Sequence, residues 1–169
     1  MKNTNNQYYI VIRGPLGIGK STIAKKLAKR LNAKYVSYDR ILDEHSLDKI
    51  DKEIGYIPSD NFKEANKIIV PKIKKSLENG NIVVFDGNFY WKSQIEDLLD
   101  RLDCPYKVFT LEASLETCIE RDKNREKSHG EDAARAVYKK STGFNYGVNI
   151  NTENKSSEEV VREILDMLK

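Results

Sequence analysis

The run Gly14-Pro15-Leu16-Gly17-Ile18-Gly19-Lys20-Ser21 constrains this chain more than any other feature. It matches G-x-x-x-x-G-K-[ST] without a gap, and its setting matters as much as its letters. A compact apolar run, Tyr8–Arg13, precedes it and predicts a strand. After Lys20, Ile23, Leu27 and Leu31 recur every four residues with Ala24 and Ala28 beside them, which predicts a helix face packed on a sheet. A glycine-rich turn between a strand and a helix can wrap its backbone closely around a bulky anion, because glycine tolerates the curvature and removes Cβ atoms from the approach. The N–H groups then form a nest at a helix N-terminus, where the dipole also favours negative charge. The pattern therefore predicts a phosphate-binding loop. Gly14, Leu16, Gly17, Ile18, Gly19, Lys20, Ser21 and the adjoining Thr22 are the candidate nucleotide contacts. Lys20 would reach the β/γ oxygens, and the Ser21 hydroxyl would serve Mg²⁺, which takes few protein ligands.

The rest of the chain alternates short apolar runs with amphipathic stretches, which predicts an α/β fold with a mostly parallel sheet. Strands are expected at Lys34–Tyr38, Ile82–Phe85, Tyr106–Leu111 and Gly147–Ile150. Helices are expected from Asp60, with a kink or break at Pro71, from a capping box at Ser93 and Glu96, over Ser114–Arg125, and from a second capping box at Ser156 and Glu159. Residues 126–145 break the alternation and hold only a short helical stretch near Ala133–Lys140. Three-layer packing in one domain over residues 1–169 follows, with no internal repeat or linker.

Ligands of open parallel sheets sit outside the carboxyl ends of the strands. Asp39 and Asp86 both follow strand runs at that edge. Asp86 is placed to hold the Mg²⁺ shell, or else to cap a turn. Asp39 is placed to orient an acceptor hydroxyl or take its proton, or else to cap the helix over residues 40–47. Residues 121–140 carry seven Lys and Arg against four acids. Arg121 and Arg125 are spaced i, i+4, so that a mobile segment could bring both over a nucleotide. His45 and His129 read as ordinary surface histidines. Tyr38, Phe62, Phe89, Tyr90 and Trp91 fall near the acceptor side, as contacts or as core.

Composition narrows the partners. The formal charge of +3 argues against a nucleic-acid partner, and no apolar run reaches the roughly 18 residues of a membrane span. Met1–Gln7 is polar, lacks the apolar stretch of a secretory signal and reads as a frayed end. Two cysteines, Cys104 and Cys118, lie in core-like stretches without metal spacing, which favours a reduced cytoplasmic setting. Nothing in the sequence specifies an oligomeric state.

The chain resembles the small P-loop kinases of the adenylylsulfate kinase, gluconate kinase and chloramphenicol phosphotransferase group over nearly its full length. GPLGIGKST matches their phosphate loop, VSYD puts Asp39 where they carry an acceptor-side aspartate, and VVFDG puts Asp86 at their third strand. CIERDKNR, Cys118–Arg125, is similar to the start of the adenylylsulfate kinase lid, and Ser141–Ser156 to the segment after it. The resemblance implies a five-stranded parallel sheet in order 2-3-1-4-5, an acceptor-binding region over about 39–80 and a lid over about 122–145. It also implies Arg121 against the adenine or phosphates and Thr152 near the base. Its activity would be ATP- and Mg²⁺-dependent phosphoryl transfer, with Lys20, Asp39, Arg121 and Arg125 as catalytic residues. The acceptor would be a small molecule with a hydroxyl group. A nucleoside, nucleotide or nucleic-acid 5′-hydroxyl acceptor, or an ATPase or non-catalytic switch, shares the same loop. The chain departs from adenylylsulfate kinases after strand two, where Asp43, Glu44, Asp48, Asp51 and Glu53 make the segment acidic. That substrate is therefore not carried over.

Overall fold

The computed structural model describes residues 7–169, so that Met1–Gln7 falls outside it except for Gln7. Five parallel strands, β1 (Tyr9–Arg13), β2 (Lys34–Ser37), β3 (Val83–Asp86), β4 (Tyr106–Glu112) and β5 (Val148–Asn151), form one sheet in the order β2-β3-β1-β4-β5. Around it lie α1 (Lys20–Leu31), α2 (Tyr38–Glu44), α3 (Ser59–Glu78), α4 (Lys92–Leu102), α5 (Leu115–Lys123), α6 (Glu131–Ser141) and α7 (Ser157–Met167).

Successive side chains of a strand point to opposite faces, and this chain makes both faces apolar. Tyr9 and Val11 of β1, with Val83 and Phe85 of β3, enter a core closed by Ile41, Phe62, Ile73 and Leu98 from α2, α3 and α4. Ile10 and Ile12, with Val84, enter the opposite core against Ile23, Leu27, Cys118 and Ile164 from α1, α5 and α7. Each such fully buried side chain contributes about 1.5–3 kcal/mol. The register aligns Ile12 and Ser37 with Asp86, and Arg13 with Thr110, so the strands end together along one edge.

Several local expectations differ from what is observed. Helix α3 runs unbroken through Pro71. The ring faces solvent, while Val70 and Ile73 on either side are held in the core, and this anchoring offsets the roughly 3 kcal/mol that an interior proline costs. Asp60 does not cap α3, which starts behind Pro58, and Ser93 does not cap α4, whose N-cap is Trp91. The hydroxyls of Ser59 and Ser93 bond each other instead, 2.6 Å apart. The box at Ser156 and Glu159 is present as expected. Both cysteines are free, with Cys118 buried and Cys104 half-buried.

Candidate active site

The glycine-rich loop leaves β1 at Gly14 and enters α1 through Gly19, whose φ of 97° and ψ of 17° are left-handed. No side chain caps α1, and its first internal bond is the Ile23 N–H donating to Gly19 O at 3.0 Å. The N–H groups of the first turn are thus left for an anion, as the helix dipole favours. Gly17, at φ 78°, lies so close to α5 that a Cβ there would stand 2.1 Å from Cys118 O. The loop is therefore pressed against the helix that carries Arg121.

The cleft above this loop measures about 260 Å³ and is lined by Leu16, Gly17, Gly19, Lys20, Ser21, Thr22, Asp39, Arg121, Arg125 and His129. Two of the candidate contacts stand back from it. Ile18 is in the core, and Gly14 packs on Leu111. Lys20 is buried, its Nζ donating to Pro15 O at 2.7 Å. Burial lowers its pKa, while Asp86 and Asp39 act in the opposite sense.

Asp39 lies in the first turn of α2 but does not cap it. Ser37 does, its Oγ accepting from the Arg40 N–H at 3.4 Å, so the capping role expected of Asp39 belongs two residues earlier. The Asp39 side chain is left free for the cleft, where solvent reaches it inside a ring of protein. That enclosure raises its pKa, Asp86 adds to the rise, and Lys20, His129 and Arg125 oppose it. Asp86 itself is buried at the end of β3 and accepts from the Tyr35 hydroxyl at 2.8 Å. Ser21 lines the cleft and Asp86 does not; a hydroxyl and a carboxylate are donors of the kind a hard cation such as Mg²⁺ takes.

Arg121 extends from α5 and is fixed by Thr152. Its NH1 donates to Thr152 Oγ1 and its NH2 to Thr152 O, both at 3.0 Å. Arg121 and Thr152 also share a shallow recess with Ile18, Thr22 and Lys155. Arg125 lies past the end of α5, whose C-cap is Asn124, so the two arginines do not share a helical face. They still line one cleft, because the chain turns after Asn124 and Arg125 faces Asp122 at 3.6 Å.

His129 is exposed, as a surface histidine would be, but its exposed side chain lines the cleft. Buried Asp122 fixes it by accepting from the His129 N–H at 2.9 Å, facing Nδ1 at 3.2 Å and accepting from Ser128 Oγ at 2.7 Å. Burial alone would raise the Asp122 carboxyl. The bonds from Ser128 and His129 outweigh it and hold the group below its ordinary range. Arg13, which carries no sequence signal either, is fully buried at the end of β1 and does not line the cleft. It donates to Phe89 O at 3.3 Å, Thr110 Oγ1 at 3.0 Å and Ser141 O at 2.6 Å, and stacks on Phe144. Burial lowers its pKa to about 10.

A second cavity, of about 340 Å³, adjoins the cleft, and Leu16, Asp39 and His129 line both. Its walls come from α2, the loop after it, the segment after β3 and the inner face of α6. Tyr90, one of the aromatics left open between core and contact, is both: it is buried, and it lines this cavity. Tyr38, Phe62 and Phe89 are core, while Trp91 is half-buried beneath Lys140, whose Nζ stands 3.4 Å above its ring.

A parallel sheet in this order, with a phosphate loop after its central strand, defines a P-loop fold of the small-kinase type. Residues 10–143 match the AAA domain family, and the chain belongs to it. It is similar to shikimate kinase 1 of Escherichia coli (strain K12 / DH10B), with 25% identity over 173 residues, 94% of this chain and 95% of that protein. Among solved structures, a gluconokinase from Sinorhizobium meliloti 1021 superposes with a TM-score of 0.73 at 17% identity, covering 96% of this chain and 92% of that one. The tunicamycin resistance protein of Deinococcus radiodurans does so with a TM-score of 0.69 at 17% identity, covering 96% and 95%. Among the described residues no helix is long and apolar enough to cross a membrane.

Proposed function

We propose that this chain is an ATP- and Mg²⁺-dependent phosphotransferase that moves the γ-phosphoryl group to a hydroxyl of a small molecule in the cytoplasm. The observation that carries the reading is the position of Asp39 in the wall shared by the phosphate-loop cleft and the second cavity. A donor held in the first and an acceptor held in the second would meet beside a carboxylate. The kinase relatives support the reaction type.

In this reading the loop N–H groups and Lys20 hold the β- and γ-phosphates, and Arg121 and Arg125 offset the charge that develops during transfer. Ser21 and Asp86 would hold Mg²⁺, which neutralises phosphate charge when bound. The acceptor oxygen forms a bond to Pγ while the bond from Pγ to the β,γ-bridging oxygen breaks. ADP leaves with that oxygen, and the hydroxyl proton passes to the Asp39 carboxylate and then to water. Residues 39–80 supply the acceptor side, and residues 122–145 act as the lid, with α6 excluding water from the reacting groups.

A panel of hydroxyl compounds, read as ADP release with and without each, tests this. Stimulation by one chemical group of acceptors supports transfer, whereas ATP hydrolysis that no acceptor alters would replace the kinase with an ATPase. In the same assay Lys20→Ala should lower turnover at least 100-fold with an unchanged circular dichroism spectrum. Unchanged turnover in that variant would refute the loop's role.

A further inference from the structure

The second cavity is built for an acceptor that carries no negative charge. Small-molecule sites usually pair an apolar lining with a few placed polar groups, and the charge of those groups selects the ligand. Here Leu42, Ile50, Tyr56, Ile57, Tyr90 and Val137 supply the apolar lining. The polar members are Asp39, Asp48, Asn88 and His129. Among the described residues no lysine or arginine lines the cavity.

The cations of the flanking helices have partners of their own. Lys140 lies over Trp91 with Tyr56 beside it, Arg135 pairs with Glu131 at 2.7 Å, and Arg40 pairs with Glu44 at 2.6 Å. Arg13 is consumed by Phe89 O, Thr110 and Ser141 O. A carboxylate or phosphate brought into this cavity would lose its water and meet two aspartates, while Lys20 and Arg125 lie on the cleft side of Asp39, where the nucleotide phosphates would engage them.

Asn88 adds a second observation. It follows Asp86-Gly87 at the end of β3, and its Oδ1 is shielded from solvent with no hydrogen-bond partner among the described residues. The shielded oxygen lacks a donor where it stands, so turning of the Asn88 amide toward the cavity gives up no hydrogen bond of that oxygen, and a neutral amide reads a hydroxyl or N–H group without asking for a charge. The aromatic edge beside it is firm. Tyr90 OH accepts from the Ile57 N–H at 3.1 Å, and Tyr56 OH donates to Ala136 O of α6 at 3.2 Å.

Resting on the phosphotransferase reading above, we infer that the acceptor is an uncharged or amine-bearing hydroxyl compound with an apolar body, and that Asn88 reads a second polar group on it. The test uses matched trios on phenyl, cyclohexyl and sugar skeletons, each a hydroxyl compound bearing a carboxamide, an amine or a carboxylate. 4-(Hydroxymethyl)benzamide, 4-(hydroxymethyl)benzylamine and 4-(hydroxymethyl)benzoate form one such trio. ADP release with ATP and Mg²⁺ gives kcat/KM, and thermal stabilisation without nucleotide gives binding. The amide or amine members should exceed the carboxylate at least tenfold in both. Asn88→Ala should raise KM for the best acceptor about tenfold, with KM for ATP and the melting temperature of the free protein little changed. Asn88→Asp, which keeps the shape and adds a charge, should shift preference toward the amine. Equal or better use of the carboxylate members overturns this inference and leaves the phosphotransferase standing. ATP binding without stimulation or stabilisation by any member overturns both.

Discussion

Replacing Gly17 by alanine would put a methyl carbon 2.1 Å from Cys118 O, 3.0 Å from Cys118 C and 3.1 Å from Asp122 N. Those atoms are backbone of α5, so relief requires the helix and the loop to separate by about 1 Å to restore an ordinary contact of at least ~3 Å. Gly19 is the matched control. It also has a left-handed backbone, at φ 97°, but a Cβ there would meet nothing nearer than Ile23 Cδ1 at 3.8 Å. Both variants carry left-handed strain of about 1–2 kcal/mol. Only Gly17→Ala adds overpacking, worth about 1–3 kcal/mol more. For a chain of this length each kcal/mol lowers Tm by roughly 2–4 °C, so Gly17→Ala should melt about 2–12 °C below Gly19→Ala. Calorimetry on the two purified variants measures the difference. Nucleotide titration should show the larger loss for Gly17→Ala as well, because α5 carries Arg121 into the cleft. Equal melting temperatures would refute the claim that the loop and α5 are pressed together.

Asp39→Asn should reduce kcat at least 100-fold with little change in ATP affinity; equal small effects on both would argue against a role in transfer. The raised Asp39 pKa means that the folded protein holds this proton to higher pH than the unfolded chain, so the stability this group contributes below the unfolded pKa is lost as pH rises through the folded one. The variant should therefore melt near the parent, since relief of the enclosed charge offsets the ~0.3–1 kcal/mol of dipole interaction lost at the start of α2. The acid limb of kcat/KM in the parent should lie above the ordinary aspartate range and should vanish in Asp39→Asn, as pH profiles of the two would show. Arg13→Met should lower unfolding free energy by about 3–5 kcal/mol, because it leaves the carbonyls of Phe89 and Ser141 buried without donors. Urea denaturation measures that loss, and a variant within 1 kcal/mol of the parent would contradict it.

The parts of the site that were legible in the sequence are those whose geometry is local. The phosphate loop specifies its backbone through its own glycines, and Ser156 and Glu159 cap α7 across three positions. Strand runs that are apolar on both faces announced the parallel sheet, since Val83, Val84 and Phe85 all go into core. The errors arose where a local signal lost to a distant partner. Ser93 has the letters of a cap, but Trp91 is tied by its indole N–H to Ile57 O at 2.8 Å, and the helix starts from there. The alternative of Asp39 as a cap holds only if β2 runs on to Tyr38; Tyr38 turns into the core as the first residue of α2, and Ser37 takes the cap. His129 lies in a polar stretch whose letters say only that it is exposed. Its position depends on Asp122, a residue that α5 buries beside the phosphate loop.

Arg13 shows how far such dependence extends, and why the two cavities keep their relation. Read along the chain, it is a charged residue closing an apolar strand, and the usual expectation is a side chain in water. In the fold the sheet carries it inside, where it joins the segment after β3 through Phe89, β4 through Thr110 and the end of α6 through Ser141. Asn88 precedes the first of these contacts, and α6 bears the inner wall of the second cavity. A guanidinium without an acidic partner is an expensive group to bury, and it is kept here by the two carbonyls and the hydroxyl that would otherwise lack its donors. It does fix in one place three segments that share no sequence neighbourhood. A packed hydrophobe would bring the same segments together without specifying their carbonyl positions. If that is its role, Arg13→Met should raise the acceptor KM more than the KM for ATP, because the phosphate loop is held by its own glycines and by α5, which Arg13 does not touch.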